Sequence, residues 1–162
     1  MNHVAIFLAT CAYAGFVPAI PGVVAALLGL LLVRTVLERL WTHSWRLGLL
    51  TIAAAFWLGC WASGRAELIF GQRDSDYIVV DELLGMVATM YLNPLDRLSL
   101  WFGFATFEVL DTIKPFPADL VHRYLSGGTG VMLDDLVVGI YANIALRLMT
   151  RIRWSRRRRI GA

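Results

Sequence analysis

The chain has 162 residues, 58% of them hydrophobic and only 17% charged, with a mean hydropathy of +0.63. Soluble domains carry about 45–50% apolar and about 25% charged residues, so this excess is too large for one small core and excludes a disordered, collagenous or nucleic-acid-binding chain. The net charge is +3, but six arginines (Arg151, Arg153 and Arg156 to Arg159) fall in the last twelve residues, and without them the balance is −3.

These proportions predict one helical membrane domain over residues 1–150 and an Arg-rich tail over 151–162. A short Arg run beside an apolar helix reads as a contact with anionic membrane lipids at the cytoplasmic face rather than with nucleic acid. The start of the chain has no basic segment or small-residue cleavage site, so no signal peptide is expected.

Six apolar runs follow in order: Val4–Val17, Gly22–Val33, Leu47–Ala62, Ile78–Leu92, Leu98–Leu110 and Val131–Met149. Five span 12–16 residues and the last 19, against about 20 for a straight crossing of a bilayer. No strand-like alternation is sustained. The expected fold is therefore all-α, a multi-pass membrane bundle of about six short helices. Pro18-Ala-Ile-Pro21-Gly22 breaks its first hairpin, because proline removes a backbone donor and clashes with a continuing helix. Asn93-Pro94 and Lys114-Pro115-Phe116-Pro117 mark further turns. If each run crosses once, residues 18–22, 65–77 and 111–130 share one side. The termini, residues 34–46 and residues 93–97 share the other.

Cys11 and Cys60 lie inside apolar runs without a zinc-ligand spacing and read as core thiols. Four residues separate Cys60 from Arg65, one fewer than a cysteine-phosphatase loop needs. Asp74-Ser75-Asp76 lacks the preceding strand of an aspartyl-phosphate motif and reads as a solvated loop.

The carboxylates are more informative. Asp81-Glu82 opens one apolar run, Asp134-Asp135 opens another, and Glu108 and Asp111 lie one turn apart near the end of a third. A carboxylate at membrane depth costs about 2.5–3.5 kcal/mol, so such groups persist when paired, hydrated or metal-bound. A favourable helix dipole explains one acid at a helix start, but neither the doubled pairs nor Asp111 at a helix end. Convergent carboxylates suit a hard, oxygen-preferring cation such as Mg²⁺. Lys114, the only lysine among 15 basic residues, can place a point charge on a phosphate oxygen. Gly127-Gly128-Thr129-Gly130 precedes a helix start and can offer backbone N–H groups to an anion. The same acids could instead serve a small transporter or an ion-binding protein.

In these residues the chain resembles the phosphatidylglycerophosphatase A family of magnesium-dependent bacterial lipid phosphatases. The resemblance is carried by Pro18–Gly22, by Ile78-Val-Val-Asp81-Glu82-Leu-Leu-Gly85-Met86, by Phe107-Glu-Val-Leu-Asp111-Thr-Ile-Lys114-Pro-Phe-Pro117, and by Gly127-Gly-Thr-Gly130-Val-Met-Leu-Asp134-Asp135. It spans roughly residues 14–144. It implies hydrolysis of phosphatidylglycerophosphate to phosphatidylglycerol and phosphate at the bacterial cytoplasmic membrane. It implicates Asp81, Glu82, Asp111, Asp134 and Asp135 in catalysis and metal binding. Lys114 is implicated in catalysis and, with Pro21, Gly22, Gly128 and Gly130, in substrate binding. Two positions depart from the family pattern: Glu108 replaces an Arg, and Val23-Val24-Ala25-Ala26 replaces a Thr followed by a Gly-Ser pair. They imply a divergent phosphatase acting on another lipid phosphate as an alternative.

Overall fold

Every apolar run of the sequence contributes a helix in the computed structural model, which describes residues 2–160. The side chains of His122 and of residues 156–160 lie outside the described residues, and with them Arg156–Arg159 of the expected lipid contact.

The first run does not stay helical to Val17. Helix α1 (Asn2–Ala9) stops where the Thr10 hydroxyl oxygen accepts the Tyr13 N–H at 3.0 Å, a local bond that competes with helix continuation. Cys11, Ala12 and Tyr13 then take left-handed backbone angles (φ 47°, 56° and 69°), and a 3₁₀ turn covers Ala14–Phe16. The hairpin is thus broken before Pro18. Pro21 instead opens α2 (Pro21–Leu32), at a position where its missing N–H costs nothing. A π turn over Val33–Leu37 joins α2 to α3 (Glu38–His43).

Helix α4 (Trp45–Phe70) is longer than its apolar run and is closed by Gly71 at φ 67°, a conformation that favours glycine. Helix α5 (Val80–Met90) is followed by α6 (Arg97–Ile113) and by a short α7 (Ala118–Tyr124) that the apolar pattern did not foretell. Helix α8 (Gly128–Ile160) runs unbroken through residues 150–151, so the basic tail begins as its extension.

Helix α5 is the centre of the packing and touches α2, α4, α6 and α8. Residues Leu84 to Met90 are all buried. Close approach to α8 depends on two glycines, since a Cβ on Gly139 would overlap the Gly85 carbonyl. The main core joins Val33, Trp41, Met86, Met90, Phe107, Val138 and Leu146. At the far end of α5 the Asn143 amide donates to the carbonyls of Ala88, Thr89 and Tyr91 at 2.9–3.0 Å, which satisfies carbonyls that a helix end leaves unpaired.

The helices alternate between two ends. Ala9 accepts the Val79 N–H at 2.9 Å, Glu67 Oε1 accepts the Asp74 N–H at 2.8 Å, and Lys114 reaches Asp134 at 2.6 Å. These contacts gather the proline hairpin, the 71–79 loop, the end of α6 and the start of α8 at one end. At the other, Arg153 grips Asp96 with two 2.9 Å hydrogen bonds and the Tyr91 hydroxyl donates to the Trp45 carbonyl.

Among the described residues α4 alone is long and apolar enough to cross a membrane, with 22% of its most apolar window buried. Of the expected membrane bundle, the all-α character and one helix of crossing length and composition are thus present. The other runs lie in shorter helices or, in α8, share a helix with Asp134, Asp135 and several arginines.

Candidate active site

Four segments bring acids to the end where the proline hairpin lies. Asp81 and Glu82 occupy the first turn of α5, where the helix dipole favours negative charge. Asp134 and Asp135 come from the second turn of α8 rather than its opening, because α8 already starts at Gly128. Asp111 and Lys114 close α6. The loop between α4 and α5 adds Asp74, Ser75 and Asp76. Together with Ile78 these residues, except Asp134, line a cavity of about 130 Å³.

Carboxylate oxygens of Asp81, Glu82 and Asp135 lie within 4.8 Å of one another. Asp81 and Asp135 are buried, at 6% and 1% exposure. Asp81 Oδ1, Glu82 Oε2 and Asp111 Oδ1 are buried without a hydrogen-bond partner. Buried carboxylate oxygens that accept no hydrogen bond are costly in a low-dielectric site. The all-oxygen donor set, with oxygens left without hydrogen bonds, fits a hard divalent cation.

Lys114 supplies a counter-charge to the acids. Its Nζ donates to Asp134 Oδ2 at 2.6 Å and Asp135 Oδ1 at 3.2 Å, and lies 3.6 Å from Asp111 Oδ1. Burial by itself would lower the ammonium pKa. The charges of Asp135 and Asp134, the hydrogen bond to Asp134 and the charge of Asp111 outweigh it and hold Lys114 well above the ordinary lysine range. The backbone supports this placement at a price in strain, with Lys114 left-handed at φ 43°, a region that non-glycine residues rarely enter. Asp134 also accepts the Asp135 N–H at 2.9 Å through Oδ1. Its structural part is to fix Lys114 and the neighbouring backbone.

The remaining expected site residues divide. Gly22 faces Glu82, and a Cβ there would come within 2.6 Å of Glu82 Oε1. Pro21 lines a second cavity of about 580 Å³ that also borders Glu82. Gly128 and Gly130 do not line the acidic cavity. A Cβ on Gly128 would overlap the Cys60 carbonyl of α4, and one on Gly130 would overlap the Leu125 carbonyl, so both glycines permit close packing. Glu108 is half-buried one turn before Asp111 and is outside the lining. The Arg123 guanidinium lies 4.0 Å from Asp119.

Sequence reasoning passed over Asp74-Ser75-Asp76 as a solvated loop, yet Ser75 is buried and all three line the cavity. Their position between two acid-bearing segments on the shared side was the available signal.

A family model described as phosphatidylglycerophosphatase A matches residues 7–150. A Bacteroides thetaiotaomicron protein named "Putative phosphatidylinositol-3-phosphatase" is 33% identical, over 86% of this chain and 87% of its own length. Proteins named phosphatidylglycerophosphatase A are 31% identical in Haemophilus influenzae, over 82% of this chain and 80% of theirs, and 33% identical in Escherichia coli, over 59% and 56%. No solved structure matches the chain significantly.

Proposed function

Because the chain belongs to the phosphatidylglycerophosphatase A family of lipid phosphatases, we propose that it hydrolyses the terminal phosphomonoester of phosphatidylglycerophosphate, with Mg²⁺ as cofactor, at the bacterial cytoplasmic membrane. The observation that carries the chemistry is the convergence of Asp81, Glu82 and Asp135 within 4.8 Å, beside an ammonium already tied to the acids.

In this reading Asp81, Glu82 and Asp135 would hold the cation, and Asp111, whose Oδ1 accepts no hydrogen bond, would orient the water or add a ligand. The bound cation supplies charge neutralisation at the phosphoryl oxygens and activation of water. Lys114 presents its point charge to the phosphate while Asp134 keeps it in place. A carboxylate of the cluster takes the proton from the attacking water. The new P–O bond forms as the ester P–O bond breaks, and the glycerol oxygen leaves with a proton. Catalysis is then positioning and charge compensation.

Membrane residence is supported by the apolar side chains α4 turns outward, including Leu50, Trp57 and Leu68 at 64%, 68% and 77% exposure. The basic tail is read as contacting anionic lipids. A second substrate, a phosphoinositide, is favoured by the name of the Bacteroides relative.

The test is phosphate release in detergent from phosphatidylglycerophosphate and from phosphatidylinositol 3-phosphate, with magnesium and with excess chelator. Release from the first lipid that stops on chelation is expected. Preference for the second would move the substrate assignment, and release that survives chelation would remove the cation from it.

A further inference from the structure

The acidic cavity adjoins a larger one, and Asp76 and Glu82 line both. The larger cavity, about 580 Å³, lies between residues 15–19 with Pro21 on one side and Tyr77 on the other. Its walls are held by specific contacts. Gly15 packs so closely on the Tyr77 carbonyl that a Cβ would overlap it, and the Gly15 N–H donates to the Thr10 carbonyl at 3.0 Å. The Phe16 and Tyr77 rings are 4.9 Å apart, and Ala19 is left-handed at φ 74°. The result is an aromatic lip over a carboxylate floor.

Because the two cavities share Asp76 and Glu82, the groove is the space into which the ester side of a phosphate bound beside Lys114 would extend. The first group beyond the ester therefore meets a carboxylate, which accepts hydrogen bonds and donates none. That chemistry welcomes a linker bearing a free hydroxyl and offers nothing to a phosphate attached directly to diacylglycerol. Glu82 has a neighbour in the Asp81–Asp135 cluster, whereas Asp76 is exposed and outside it. Resting on the phosphatase reading above, we infer that Asp76 is a specificity-determining residue that recognises a hydroxyl on the linker between the scissile phosphate and the lipid.

The experiment compares phosphatidylglycerophosphate with phosphatidic acid of matched acyl chains, in detergent with magnesium, for the wild type, Asp76→Ala and Asp76→Asn. Asp76→Ala is expected to raise KM for the hydroxyl-bearing lipid about tenfold, with kcat held within about twofold. Its preference over phosphatidic acid shrinks accordingly. Asp76→Asn retains an acceptor oxygen and recovers part of the loss. Unchanged KM and preference in Asp76→Ala, with an active wild type, overturns the inference and leaves the phosphatase reading standing. A parallel fall in kcat on both lipids also overturns it, by making Asp76 part of the hydrolytic apparatus. Wild type inactive on both lipids overturns the reading and the inference together.

Discussion

Lys114 shows what a single residue does here. Its side chain is 26% exposed, and its ammonium touches two carboxylates that are almost wholly buried. Removing one partner of a buried ion pair leaves the other charge uncompensated, at about 3–5 kcal/mol when fully buried. Partial exposure brings the expected loss for Lys114→Met to about 2–3 kcal/mol, with activity reduced at least about hundredfold. Excess magnesium should restore part of the stability, because a cation among Asp81, Glu82 and Asp135 replaces the missing charge, but none of the activity. Thermal unfolding of the variant in detergent, with and without magnesium, checks this. A melting temperature indifferent to magnesium would remove the cation from the acid cluster. The residue itself was legible as the lone lysine of an arginine-rich chain. Its partners were not, since nothing local in Asp134-Asp135 tells that α6 ends beside the second turn of α8. Gly128 and Gly130, which do not line the acidic cavity, show a related limit. A glycine that exposes backbone to an anion and one that admits a neighbouring helix look the same in sequence.

At the scale of elements, hydrophobic runs located the helices because burial and bilayer immersion both demand them. They did not set the helix lengths. Helix α4 continues through Arg65 and Glu67, which point to solvent or to the 71–79 loop and interrupt the apolar pattern without interrupting the helix. Helix α1 ends early because a threonine hydroxyl offers the backbone another bond, a choice invisible to hydropathy. The far end of α8 is tied to the α5–α6 turn by Arg153 and Asp96. Hydrogen bonds from Arg153 and then Ser99 hold the Asp96 carboxyl well below the ordinary range. A depressed carboxyl stabilises the fold above its unfolded pKa, about 3.9, and that contribution disappears as pH falls through the lower folded value. Asp96→Asn should therefore be less stable than wild type near neutrality by about 0.5–1 kcal/mol, the modest size reflecting solvent screening of an exposed pair. The gap should narrow as pH drops below about 4. Urea titrations at neutral and acid pH measure it, and a constant gap would mean that the ion pair is not its source.

For the whole molecule, the two-ended layout has a consequence for orientation. The sequence already assigned residues 18–22, 65–77 and 111–130 to one side by counting alternate crossings, and the structure joins the second and third of these through the Arg73 guanidinium, which donates to the Leu125 carbonyl at 2.7 Å. What the count could not supply was which runs cross a bilayer, because an apolar helix packed in a core and one immersed in lipid share a composition. Charge then sets the expected direction. Arg34, Arg39, Arg46, Arg97, Arg147, Arg151 and Arg153 belong to the end away from the acids, against Arg65, Arg73, Lys114 and Arg123 at the acidic end. Positively charged flanks are retained in the cytoplasm, so the basic end should face inward and the acidic cavity outward. A substrate drawn from the cytoplasmic leaflet would require the opposite orientation. Single cysteines decide between them. With Cys11 and Cys60 replaced by alanine, Ser126→Cys and Ser155→Cys place exposed thiols at the acidic and basic ends. A membrane-impermeant maleimide added to intact spheroplasts should label Ser126→Cys at once and Ser155→Cys only after lysis. The reverse pattern would put the cavity on the cytoplasmic face and show that the arginines of α8 contact lipid without setting the orientation.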